Sequence, residues 1–317
     1  MRLALFPIAA ALMLGACTSE PEQSRNLVNA DPKSCQTNSL AVQIMGSGGP
    51  IADDNRAGAG NLIWVDGKAR VVIDAGPGSF IRHAEAGAQF TDHDAILLTH
   101  FHGDHVGGLP GLLNNGSFAK RTEGLLIAGP EGSAAFPSTS GLLEAFVGKQ
   151  GALRYLSSYL DDDGPLPKLV VRNIVTNRDY LQAVMRKDGV DIDAIAVKHL
   201  EVPALAFVVR SKGKRLLFAG DQSFLSEEFE NATRNGLPDI MVMHNAISMA
   251  DGQPRGLHRD GLSIGNAAAI AGAKKLVLTH HMQRALDDGD AVIAAIRENF
   301  DGPVEFADDL SCYPLIE

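Results

Sequence analysis

Thr99-His100-Phe101-His102-Gly103-Asp104-His105 follows directly on the apolar run Ala95-Ile96-Leu97-Leu98 and puts four metal-binding side chains within six residues. The chain has ten histidines in 317 residues, so independent placement gives His-x-His-x-Asp-His in about one sequence in a thousand of this length. Imidazole nitrogens and carboxylate oxygens are ligands for zinc and related divalent ions. Alternate side chains of an extended segment share a face, so His100 and His102 point the same way. Gly103 permits the turn that brings Asp104 and His105 round to them. A solvated polar turn after a buried strand does not call for this density of ligands.

Outward from this window, short apolar runs alternate with helical patterns. Strands are expected over 40–45, 62–65, 71–74, 95–98 and 125–128, then as a second series over 169–175, 192–197, 205–209, 215–219, 240–243 and 276–279. Helices are expected over 79–85, 140–146, 263–271 and 291–300. Two comparable sets of strands follow, with no repeat or low-complexity tract from 39 to 317, which reads as one domain. The glycine-rich Gly46-Ser47-Gly48-Gly49-Pro50 lacks the Lys and Ser/Thr of a phosphate loop, so it is expected as a tight loop at the rim of the site.

The composition is 45% hydrophobic with a net charge of -10, ordinary for a globular protein and without the Lys/Arg clusters of a nucleic-acid surface. Arg2 leads an apolar stretch from Leu3 to Leu14, too short to span a bilayer as an ordinary helix. Leu14-Gly15-Ala16-Cys17 then resembles the bacterial lipoprotein box, which implies cleavage before Cys17, a lipid on its thiol and a periplasmic or outer-membrane location. A plain secretory signal is the other reading, and both give export. Residues 1–17 are thus expected as a signal, 18–38 as a flexible tether and 39–317 as the folded domain. With Cys17 lipidated, Cys35 and Cys312 remain, either as a disulfide or as two unpaired thiols.

With Ile73-Asp74-Ala75-Gly76-Pro77-Gly78 ahead of the histidine window, the chain resembles the metallo-beta-lactamase superfamily over nearly everything after residue 39. The resemblance implies an α/β fold, a single-domain four-layer αββα sandwich with ligands on loops at one edge of paired sheets. It also implies three further ligands: His199 after the strand 192–197, Asp221 in Leu216-Leu217-Phe218-Ala219-Gly220-Asp221, and His280 in Leu276-Val277-Leu278-Thr279-His280. Carried over, His100, His102 and His199 hold one divalent ion and Asp104, His105 and His280 the other, with Asp221 between them. The ions expected are two zincs acting through a bridging hydroxide. His281 is expected to point away, as a supporting or surface group.

Within the superfamily the likeness is greatest to the RNase Z branch, on the glycine loop with Arg56 and on His280 followed by Arg284. That branch implies a general acid 22 positions before the last ligand, a place held by His258. The chain departs from it in two ways. His244-Asn245-Ala246-Ile247 stands where His-Glu-Ala-Thr is expected, which removes a carboxylate that could orient His258. Only 21 residues lie between His199 and Asp221, room for a hairpin and not for a tRNA-gripping arm. The reading is an exported metal-dependent hydrolase of a small ester, with His258 and Asp104 in catalytic places and a phosphodiester as the first choice of bond. A beta-lactamase is the runner-up, arylsulfatase and lactonase activities stay open, and the non-enzyme alternative is a lipid-anchored metal-binding module. The partners expected are the ester and the membrane through Cys17, not nucleic acid, and the chain leaves room for a homodimer.

Overall fold

The computed structural model describes residues 31, 33–162 and 164–315; the signal, Cys17 and most of the expected tether lie outside them. The first half runs β1 (Leu40–Gly46), β2 (Gly60–Val65), β3 (Lys68–Ala75), α1 (Ser79–Glu85), β4 (Ala95–Leu97), α2 (Gly103–Val106), α3 (Leu109–Gly116), β5 (Leu125–Pro130), α4 (Thr139–Val147) and β6 (Leu169–Ile174). The second runs β7 (Gln182–Lys187), β8 (Val190–His199), β9 (Val202–Ser211), β10 (Lys214–Phe218), α5 (Glu227–Thr233), β11 (Ile240–His244), α6 (Gly261–Ala271), β12 (Leu276–Thr279), α7 (Gln283–Asp287), α8 (Gly289–Arg297), β13 (Val304–Phe306) and β14 (Cys312–Pro314).

The strands form two seven-stranded sheets, ordered β14-β1-β2-β3-β4-β5-β6 and β13-β12-β11-β10-β9-β8-β7. Each is antiparallel on one side and parallel on the other: β3 to β6 run parallel in the first, β10 to β13 in the second. Three apolar clusters define the layers. Ile44, Leu97, Phe207, Val242 and Val277 meet between the sheets. Leu98, Leu112 and Leu143 fill the space under the helices of the first sheet, and Ile264, Val292 and Ile296 under those of the second. Strands buried on both faces carry continuous apolar runs, as in Ile-Met-Val-Met of β11. Fully burying such a side chain is worth about 1.5–3 kcal/mol, so the helices cover faces that could not stay wet. The result is the expected αββα sandwich.

Two expectations about boundaries shift. The run 169–175 was grouped with the second set, but β6 pairs in parallel with β5 and closes the first sheet. The second sheet starts with β7, an edge strand whose exposed and buried residues do not form an apolar run. The expected tether also ends before residue 38. Ser34–Thr37 form a 3-10 turn with Cys35 buried, and Cys35 is disulfide-bonded to Cys312 in β14, Cα atoms 5.6 Å apart. The C-terminal strand β14 crosses back to pair with β1. At the other side of the sandwich, the backbone N–H of Leu205 in β9 donates to the carbonyl of Thr99, 2.9 Å away. That bond joins the two sheets one residue before His100.

Candidate metal centre

Parallel strands leave their carboxyl ends on one side, and in open α/β sheets ligands collect there. Here β4 leads into Thr99-His100, β10 into Gly220-Asp221 and β12 into His280, while β11 ends at His244. The antiparallel β8 delivers His199 from its own last position. The chain turns sharply at these ends: Gly220 has φ +62° and a Cβ there would lie 2.9 Å from the carbonyl of Leu205, so the place accepts only glycine without a shift. Asp74 and His280 take positive φ, 60° and 55°, despite their side chains, a backbone cost that clusters at functional sites.

Asp221 is the centre of the cluster. Its Oδ2 stands 3.7 Å from His100 Nε2, 3.6 Å from His105 Nε2 and 3.6 Å from His199 Nε2. Its Oδ1 stands 3.5 Å from His280 Nε2 and 3.7 Å from His258 Nδ1, and accepts from His244 Nδ1 at 2.6 Å. His102 Nδ1 lies 3.0 Å from His100 Nε2 and 3.3 Å from His199 Nε2. Asp104 Oδ2 accepts from His280 Nε2 at 2.9 Å and stands 3.6 Å from His105 Nε2. Donors around a tetrahedral ion at about 2.0–2.1 Å stand about 3.4 Å from one another, and these separations are of that size. His105 Nε2 is buried without a hydrogen-bond partner among the described residues, a donor atom aimed at a space between two carboxylates. The residues therefore fit divalent cations.

Two compact groups of donors result: His100, His102, His199 and Asp221, and His105, Asp221, His244 and His280. The first is the expected set. The second contains His244, which sequence reasoning left without a role, and leaves out Asp104. The two differ in commitment. His244 Nδ1 is already spent on Asp221, whereas Asp104 reaches both His105 and His280. The signal that could have found His244 is its place at the end of an apolar strand, like Asp221 and His280.

Behind the cluster, Asp74 accepts from the Thr99 backbone N–H and hydroxyl, both at 2.8 Å, and from His105 Nδ1 at 2.9 Å. A proton held on Nδ1 leaves Nε2 of His105 free to bind a metal. The carbonyl of Leu257 does the same for His199 Nδ1 at 3.0 Å.

The charges reflect this packing. Burial disfavours an imidazolium at His105, but Asp74 and Asp221 outweigh it and hold its pKa well above the ordinary range. A cation in this place takes over what that proton does. Burial opposes the carboxylate of Asp221, yet His280, His258, His105 and His244 hold it well below its usual pKa. Asp104 is lowered to about 2, its hydrogen bond with His280 overcoming burial.

The His258 ring lies 5.5 Å from that of His199 and 5.7 Å from that of His280. Burial pushes its pKa down to about 4 against the pull of Asp221. His281 is fully buried rather than on the surface. Its Nε2 donates to the carbonyl of Ala307 at 3.1 Å, and Asn245 Nδ2 lies 3.4 Å from its Nδ1. Asn245 thus faces His281 and not His258.

The glycine loop forms the rim. A Cβ on Gly49 would lie 3.0 Å from the ring of His280, so the loop runs directly over the cluster. Asp309 fixes the loop by accepting from the backbone N–H groups of Ser47 and Ala57, both at 2.9 Å. A trough of about 740 Å³ runs from Asp104 along Pro50, Pro77 and Ile81, with Arg56 and Arg82 in its walls. Both arginines are paired, Arg56 with Asp308 at 2.6 Å and Asp54 at 3.2 Å, Arg82 with Glu85 at 2.7 Å and Asp309 at 3.0 Å.

Known proteins share this architecture. Ribonuclease Z of Mycolicibacterium paratuberculosis is 29% identical over 282 residues, covering 86% of this chain and 96% of that protein. Human tRNase Z, short form, superposes with a TM-score of 0.64 at 19% identity over 87% of this chain and 100% of its own. A diphosphatase from the PhnP family superposes with a TM-score of 0.56 at 16% identity, over 87% and 98%. A family model described as the metallo-beta-lactamase superfamily matches residues 55–280, from the rim loop to the last of the site histidines, and the chain belongs to that superfamily, as a metal-dependent hydrolase.

Proposed function

We propose that the protein hydrolyses a small phosphodiester at a dinuclear zinc site. His100, His102 and His199 hold one ion, Asp104, His105 and His280 the other, and Asp221 both. The observation that carries this reading is the place of Asp221 against donors of both sets: Oδ2 lies 3.6–3.7 Å from His100, His199 and His105, and Oδ1 lies 3.5 Å from His280. Bound there, two such ions supply a water acidic enough to act near neutral pH and a clamp on the ester oxygens. The chain's own contribution is orientation. Asp74 and Leu257 present His105 and His199 with the right nitrogen free, and the glycine loop closes one side of the site.

His258 donates from its ring to the departing oxygen. A phosphodiester anion docked beside it favours the imidazolium form, which gives its proton to the departing oxygen and is left as the neutral ring. A small substrate suits the walls of the trough, whose arginines are matched by carboxylates, as are Lys198 by Glu228 and Arg255 by Asp260. A nucleic-acid backbone is gripped by cations free to replace its counterions. We read residues 1–17 as the export signal with a lipid on Cys17, which keeps the domain at a membrane surface.

A second reading, cleavage of precursor tRNA, is favoured by the similarity to ribonuclease Z over 96% of that protein. One panel decides between them: bis-p-nitrophenyl phosphate, p-nitrophenyl sulfate, a lactone, nitrocefin and a precursor tRNA. Hydrolysis of the phosphodiester with intact tRNA supports the proposal, and preferential cleavage of the tRNA overturns it. Metal analysis of the purified protein should read about two zinc ions per chain; none after reconstitution sinks the dinuclear site.

A further inference from the structure

Arg259, the neighbour of His258, is 2% exposed and among the largest fully buried side chains. Its Nε donates to Gln222 Oε1 at 3.2 Å, and its Nη1 to Glu230 Oε1 at 3.0 Å and to the carbonyl of Ser263 at 3.4 Å. The guanidinium lies 5.9 Å from the ring centre of Phe229. Its Nη2 is buried with no hydrogen-bond partner among the described residues. Removing a guanidinium from water costs several kcal/mol, and an apolar side chain of similar volume often serves stability as well or better. A buried arginine with one nitrogen unpaired is therefore poorly explained as a stabilising device.

Its partners explain it better. Gln222 follows Asp221 directly, and its own Nε2 donates to the carbonyl of Ala219 at 2.9 Å, which fixes the turn that presents the central carboxylate. Glu230 and Phe229 belong to α5, and Ser263 to the first turn of α6, which Asp260 caps by accepting from the Ser263 N–H at 3.0 Å. One fork thus ties the loop of His258 to the loop of Asp221 through two rigid helices. A planar guanidinium suits this use because its donors are fixed in relative direction.

We propose that Arg259 is a positioning residue that sets the place of the His258 ring over Asp221, and hence over the leaving group. The inference rests on the reading of His258 as leaving-group donor, and the test separates the two. Arg259→Met, Arg259→Lys and His258→Ala are compared with wild type on bis-p-nitrophenyl phosphate and on diethyl phosphate, whose leaving group is an unactivated alkoxide. A poor leaving group needs a donor and p-nitrophenolate hardly does.

Arg259→Met should lose about tenfold or more in kcat on the alkoxide substrate and less than about twofold on the p-nitrophenyl diester. KM, metal content and melting temperature should stay unchanged, and Arg259→Lys should recover part of the loss. Combination with His258→Ala should add nothing further, because both act through one ring. Equal losses on both substrates, or full additivity, overturn the proposal. If His258→Ala itself shows no dependence on the leaving group, the reading of His258 fails first. If Arg259→Met does not fold, the Lys variant carries the same comparison, and a Lys variant with wild-type rates on both substrates also overturns the proposal.

Discussion

The two sheets contribute to the metal centre in opposite ways. The first delivers His100, His102, Asp104 and His105 from one stretch after β4, supported by one buried carboxylate, Asp74. The second delivers His199, Asp221, His244 and His280 singly, each from the end of a different strand. Geometry in the first half is local: it depends on a turn and a carboxylate behind it. In the second half it depends on register, because β10, β11 and β12 must keep their parallel pairing for Asp221, His244 and His280 to arrive together. A site built this way has a conserved geometry only when both sheets are docked, and the Leu205 to Thr99 bond is where the docking reaches the ligands.

The most severe way to break the comparison is to remove the residue that both halves share. Asp221→Ala should abolish binding at both metal positions and lower activity by more than the 10–100-fold typical of groups behind a ligand, so at least about a hundredfold. Metal analysis with turnover on the diester checks it; a variant that keeps two metals would mean that the halves bind independently.

A second test asks whether the first half has its own acid weakness. His93 Nδ1 lies 2.6 Å from the carbonyl of Ala69 and its Nε2 2.8 Å from His83 Nε2. Burial lowers His83 to about 3 and His93 to about 4. Unfolded histidines titrate near about 6.5, so between that pH and about 4 the unfolded chain binds more protons than the folded one. Stability then falls as the pH drops through this window and is restored above it. At about 1.4 kcal/mol per pK unit, the pair accounts for several kcal/mol. Urea denaturation at pH 7.5, 5.5 and 4.5 should show the loss, and His83→Gln should flatten part of it. An unchanged profile in that variant would acquit the pair.

The smallest expected effect is the most diagnostic of locality. Asp74→Asn keeps the shape but removes the charge behind His105, and metal affinity should fall about 10–100-fold. The loss should fall mainly on one ion of two, since Asp74 accepts directly from His105 and reaches His100 only through the Thr99 hydroxyl, 3.1 Å from His100 Nδ1. Titration with a competing chelator reads the two positions separately, and equal weakening of both would show that the halves are coupled more tightly than their contacts suggest.

The same contrast decides what the chain discloses as a string of letters. The first half's ligands are legible because they are contiguous; three histidines and an aspartate in six residues need no fold to be noticed. Asp221 and His280 were legible only through a strand pattern before each and a family resemblance. His244 was not, because a lone histidine after an apolar run has many uses, and only the parallel pairing of β11 with β10 and β12 brings it to Asp221. Sheet membership failed for the same reason: β6 is as apolar as the strands of the second sheet, and pairing is not written in composition. The short β13 and β14 and the polar edge strand β7 carry no period to read. Burial of His281 was missed because alternation along a strand does not say what covers its other face.

The cross-link between Cys35 and Cys312 has a consequence for damage. With the paired cysteines 277 positions apart in the sequence, nearly the whole domain is a covalent ring. A single protease cut in any exposed loop opens the ring without releasing a fragment. The ligands of the first half and those of the second stay tethered, and the sheets can remain docked. On a gel without reductant such a nicked protein migrates as one band, and with reductant as two. Wherever proteases and an oxidising medium occur together, an enzyme so linked keeps a working centre after a wound that would otherwise divide it.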